Sequence, residues 1–117
     1  MIKTIDRIRG EGDGNGLVIA GSAKVAIRES VASGNNFSGL YVEHAGTELN
    51  VEGCLIANNK GNGIRSQPST IVRVSNSTIT GNATGLSDAG ALLTRGNNTV
   101  DGNTTNVSGP ITSLPGI

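Results

Sequence analysis

Apolar residues in this chain come in bursts of two to four, and Asn or Gly cuts each burst short. The stretch NSTITGNATGL (76–86) sets the rhythm: Thr and Ile favour an extended, pleated backbone, while Asn and Gly end it within a few residues. No segment keeps the 3.6-residue period of an amphipathic helix, so the pattern predicts many short strands joined by tight corners.

The interruption repeats. IRESVASGN (27–35), VEGCLIANN (51–59), VSNSTITGN (74–82) and RGNNTVDGN (95–103) align on Asn35, Asn59, Asn82 and Asn103, which lie 24, 23 and 21 residues apart. Four or five residues after each comes Leu40, Ile64, Leu86 or Val107. Gly39, Gly63 and Gly85 precede the first three and Asn106 the last, which reads as a bend where Asn replaces Gly in a left-handed backbone. A degraded earlier copy, DRIRGEGDGNGLVI (6–19), sets Glu11 at the asparagine position. A leucine-rich repeat has a similar period but needs several leucines per turn, whereas Val, Ile and Thr dominate here. The expected fold is therefore all-β, a parallel solenoid of about four to five short coils near 5–24, 25–48, 49–71, 72–91 and 92–109. It forms a single domain over 1–117 with a tail at 110–117.

Stacking such coils about 4.8 Å apart sets like residues above one another. Asn35, Asn59, Asn82 and Asn103 become a structural ladder of side-chain amides. The expected inward columns are Val25, Leu49, Val72, Leu93; Ile27, Val51, Val74; Ala32, Ile56, Ile79, Val100; and Leu17, Leu40, Ile64, Leu86. Ser30, Cys54, Ser77 and Asn98 form a small polar column that makes Cys54 structural rather than reactive. Arg95 breaks the second column, and the tail PITSLPGI is suited to lying across the end of the stack. Terminal coils present unpaired strand edges, so the chain reads as the C-terminal piece of a taller stack or as a subunit that self-associates through its open ends.

Composition narrows the partners. The formal net charge is zero with no basic block, which excludes a nucleic-acid surface, and no apolar run approaches membrane-span length. The start, MIKTIDRIRGEG, is no secretion signal, and the single cysteine excludes an internal disulfide. With Phe37 and Tyr41 as the only aromatics, the core must rest on Ile, Val, Leu, Ala and Thr.

VRVSNSTITGNATGL (72–86), with its paired aliphatics, Asn or Ser, further aliphatic, corner Asn and Gly-aliphatic pair, resembles the right-handed parallel β-helix repeat of the pectin-lyase-like superfamily. The resemblance covers roughly residues 5–107, and GALLTRGNNTVDGNTTNVSGPITSLPG (90–116) resembles the C-terminal end of uncharacterised bacterial members. It implies a secreted or cell-surface bacterial protein and, for enzymes of the fold, polysaccharide substrates worked on by outward side chains of one sheet. In register that sheet carries Val18, Tyr41, Arg65 and Ser87, with Glu43 and Gln67 two further along and His44 and Asp88 at the strand ends.

Tyr41, Glu43, His44 and Arg65 are thus the candidate catalytic residues, able in principle to abstract a proton and stabilise an enolate in uronate β-elimination. Against this, the connections are too short to wall a pocket, and Asp6, Asp13, Asp88 and Asp101 fall on different coils. GEGDGNG (10–16) offers Glu11, Asp13 and Asn15 as candidate calcium ligands, but it lacks EF-hand spacing and is not repeated in the next coil. A flexible corner fits it better, so no cofactor is expected and calcium is the one cation to test. Asn36, Asn76, Asn82, Asn97, Asn103 and Asn106 begin Asn-x-Ser/Thr triplets that the repeat chemistry generates anyway. The sequence therefore favours a non-catalytic structural or interaction β-helix. A uronate lyase-like polysaccharide enzyme or a carbohydrate-binding module is the alternative.

Overall fold

The computed structural model describes residues 2–6, 9–11 and 14–114, with side chains from 14 to 113. Asp13, the side chains of Asp6 and Glu11, and Pro115, Gly116 and Ile117 of the tail lie outside the described residues. The chain winds through coils of three short strands. The first holds β1 (Ile2–Asp6), β2 (Arg9–Glu11) and β3 (Leu17–Ile19), and the second β4 (Lys24–Arg28), β5 (Val31–Ser33) and β6 (Leu40–Val42). The third holds β7 (Glu48–Glu52), β8 (Leu55–Ala57) and β9 (Asn62–Ser66), and the fourth β10 (Ile71–Ser75), β11 (Thr78–Thr80) and β12 (Thr84–Asp88). The last comprises β13 (Ala91–Arg95), β14 (Thr99–Val100) and β15 (Thr105–Ser108), and β16 (Ile111–Leu114) follows it. Equivalent strands pair in parallel to give three sheets: β1-β4-β7-β10-β13-β16, β2-β5-β8-β11-β14 and β3-β6-β9-β12-β15. This is a right-handed parallel β-helix.

Inward columns fill its lumen. Val25, Leu49, Val72 and Leu92 stand in register, as do Ile27, Val51, Val74 and Thr94. Ala32, Ile56, Ile79 and Val100 stack in the second sheet, and Leu17, Leu40, Ile64, Leu86 and Val107 in the third. Leu40, Leu49, Ile56, Ile64, Ile79, Leu86 and Leu92 are almost wholly buried, each removing apolar surface worth about 1.5–3 kcal/mol.

The asparagine ladder is present. Asn35 donates from Nδ2 to Asn59 Oδ1 (2.9 Å), Asn59 to Asn82 Oδ1 (2.8 Å) and Asn82 to Asn103 Oδ1 (2.9 Å). The same Oδ1 atoms accept the backbone N–H of the preceding rung at 2.9–3.1 Å. Nδ2 of Asn59, Asn82 and Asn103 also donates to the carbonyls of Ala32, Ile56 and Ile79 in the coil before. Each rung follows a residue with positive φ, Gly34, Asn58, Gly81 or Gly102, whose left-handed turn aims the next side chain into the stack.

A second column runs beside it. Ser30, Cys54 and Ser77 cap the carbonyls of Arg28, Glu52 and Ser75 in their own coils, while Cys54 N–H donates to Ser77 Oγ (3.1 Å) and Ser77 N–H to Asn98 Oδ1 (2.9 Å). Burial pushes the Cys54 thiol up, with backbone hydrogen bonds to Ser30 and Glu52 opposing the shift.

Several expectations require correction. Leu92 and Thr94, not Leu93 and Arg95, continue the inward columns of the first sheet, because the corner between β13 and β14 carries one extra residue: Val74 to Thr94 is 20 positions and Ser77 to Asn98 is 21. Arg95 instead pairs in register with Leu114. The tail does not lie across the stack at residues 111–114; it adds β16 as a further strand of the first sheet. Glu11 stands opposite Ser33 rather than at the asparagine position, since Glu11 to Ser33 is 22 positions while Leu17 to Leu40 is 23. Gly39, Gly63 and Gly85 are not left-handed, and neither is Asn106. Those glycines are required for space: a Cβ on each would stand 2.8–3.0 Å from the ladder Nδ2 of the next coil.

Candidate functional site

The third sheet turns Val18, Tyr41, Arg65 and Ser87 outward in one row. Alternation along the strand explains this, because Leu40 and Val42 on either side of Tyr41 are buried. Tyr41 and Arg65 are cross-strand neighbours, and the guanidinium carbon lies 5.5 Å from the ring centroid. Stacking a cation on a ring in this way contributes about 0.5–1 kcal/mol at an exposed site. Gln67 Nε2 donates to the Tyr41 hydroxyl at 2.6 Å, which fixes the ring from its far end.

Phe37 completes the patch. It sits on the corner before β6, where its N–H donates to Gly14 O (2.6 Å) and its carbonyl accepts from Gly61 (2.8 Å). Its ring packs over Gly14 and is 66% exposed. An open groove of about 260 Å³ runs between Phe37 and the Tyr41–Arg65 pair, with Asn15, Ser38 and Asn62 supplying polar edges. Asn15 Oδ1 accepts the Ser38 N–H at 3.0 Å, so this side chain braces the corner against the next coil.

The description "Right handed beta helix region" belongs to a family model that matches residues 4–105. The chain is a member of that family. No curated protein and no solved structure matches it.

Only two of the four catalytic candidates line this groove of the β-helix. Tyr41 and Arg65 meet there. Glu43 follows β6 half-buried, with its N–H donating to Ile19 O. His44 lies on the next corner at φ 73°, and its Nδ1 accepts the Gly21 N–H at 3.2 Å. Asp88 turns inward instead of ending an exposed strand: its Oδ1 accepts from Ser66 Oγ (2.7 Å) and Gly90 N–H (2.9 Å), and its buried Oδ2 has no partner among the described residues. Of the calcium candidates, only Asn15 has a described side chain. Among the described residues no three His, Cys, Asp or Glu side chains gather where a metal ion would be held.

Sequence reasoning missed Phe37 and Asn62 as groove residues. Phe37 lies on a corner outside any inward or outward period, so alternation carries no information about it. Its rarity as one of two aromatics was the available signal.

Proposed function

We propose that this β-helix is a non-catalytic interaction module, exported to the cell surface or beyond, and that the Phe37–Tyr41–Arg65 groove contacts a polysaccharide. The carrying observation is that both aromatics of the chain line one groove, with Arg65 stacked on Tyr41 and amide edges from Asn15 and Asn62. An exposed ring offers a face to sugar C–H groups, while a guanidinium and amides offer donors to hydroxyls or carboxylates. The uronate lyase reading is supported by the Tyr41–Arg65 pair alone. It is the weaker one because Glu43 and His44 stand outside the groove lining.

Tyr41 is the sole tyrosine and there is no tryptophan, so its fluorescence reports on the site directly. Titration with polyuronate and neutral oligosaccharides, with and without calcium, should change this emission saturably while no ultraviolet absorbance of an unsaturated product develops. A rising absorbance abolished by Arg65→Ala would make the protein a lyase. No change in either signal would end the carbohydrate reading.

A further inference from the structure

The groove beside Tyr41 lies between two rows that run from coil to coil. The inward residues Leu17, Leu40 and Ile64 pair in register, and one position after each stands an outward residue, Val18, Tyr41 or Arg65. Two positions before each stands Asn15, Ser38 or Asn62. The same register carries the first row on to Ser87. Because the offset between the rows is identical in successive coils, the space between them is straight and follows the stacking direction.

The contacts made by these side chains follow the rows. The Phe37 ring packs over Gly14 of the coil before, the Ser38 N–H donates to Asn15 Oδ1 at 3.0 Å, and the Arg65 guanidinium carbon lies 5.5 Å from the Tyr41 ring centroid. Each of the three ties one coil to the next. Among the described residues no side-chain hydrogen bond crosses from the Asn15–Ser38–Asn62 row to the Tyr41–Arg65 row. The walls therefore run along the helix axis, and nothing bridges the groove between them.

We infer, on the reading that this groove contacts a polysaccharide, that the ligand is a linear chain lying along the helix axis with one sugar unit facing each coil. Neighbouring strands lie about 4.8 Å apart, close to the advance of one pyranose unit in an extended chain. The lining comes from three successive coils, through Asn15, then Phe37 and Tyr41, then Asn62 and Arg65, so about three units fill it. A chain laid across the strands would meet the residues of one coil and leave the others unused.

Oligouronates of one to six units, titrated against the Tyr41 emission of the wild-type protein, test the length. Affinity should rise about tenfold between two and three units and less than about twofold with each unit beyond the fourth. Full affinity with a single unit, or a rise that continues unchanged to six units, would overturn the axial chain while leaving a saccharide site in place. A trisaccharide with a spin label on its reducing end tests the direction by NMR. The amides it broadens should centre on Val18 or on Ser87, the ends of the row. Broadening centred anywhere else, such as Asn36 or Glu43 at the sides of the groove, would overturn the axial placement. No response to the unlabelled hexamer would end the polysaccharide reading itself, and the axial chain with it.

Discussion

The faces built on β3-β6-β9 and on β4-β7-β10 share one scaffold and treat their cations in opposite ways. On the second, Glu48 lies between Arg73 Nη1 at 3.0 Å and Lys24 Nζ at 3.5 Å, and Arg73 also reaches Asn50 Oδ1 at 3.4 Å. Charge is answered by charge, strand to strand, and the face is a solvated ladder of ion pairs. On the first, Arg65 is paired with no carboxylate among the described residues. It lies over Tyr41 beside the exposed Phe37. Among the described residues, the neighbouring rows answer Arg65 with an aromatic ring and answer Arg73 and Lys24 with a carboxylate.

The strongest way to break this comparison is to damage what both faces share. Asn59→Ala leaves Asn35 N–H and Nδ2 without their acceptor and removes donors to Ala32 O and Asn82 Oδ1, costing about 3–5 kcal/mol in chemical unfolding. Both faces should fail together. A loss confined to one would mean that the sheets are not coupled through the ladder. Next in size is Arg65→Ala, which should weaken saccharide binding about tenfold at nearly unchanged stability, whereas Arg73→Ala should leave binding alone. Phe37→Ala should cost about fivefold in affinity, read by the same Tyr41 emission.

The smallest effect is electrostatic. The Arg73 hydrogen bond, helped by Lys24 and opposed by desolvation, holds the Glu48 carboxyl below its ordinary value. A lowered carboxylate value contributes stability above the ordinary range and loses it as pH falls through the lowered value. Arg73→Ala should therefore flatten the acid side of the melting-temperature profile slightly and leave the neutral side nearly flat, because the pair is exposed. An acid profile identical to that of the wild type would contradict the pairing.

Much of the scaffold was legible because its chemistry repeats. A ladder asparagine must recur once per coil, so Asn35, Asn59, Asn82 and Asn103 announce the period, and the aliphatic columns follow by counting. Counting fails where corners change length. One extra residue before Asn98 moved the inward positions from Leu93 and Arg95 to Leu92 and Thr94, and a shorter first coil moved Glu11 off the ladder. The glycine column was visible but its cause was not: crowding by the next coil's amide, rather than backbone handedness, excludes a side chain there. Of the candidate site, the strand row with Tyr41 and Arg65 followed from alternation. Phe37 and the divergence of His44 did not, since both depend on corner geometry.

The most direct test of the proposed polysaccharide contact is a map of amide shift changes by NMR during titration with an oligouronate. The account predicts a continuous patch over Asn15, Phe37, Tyr41 and Arg65, with Glu48 and Arg73 unmoved. Changes centred on Glu48 and Arg73, or none at saturating saccharide, would contradict it.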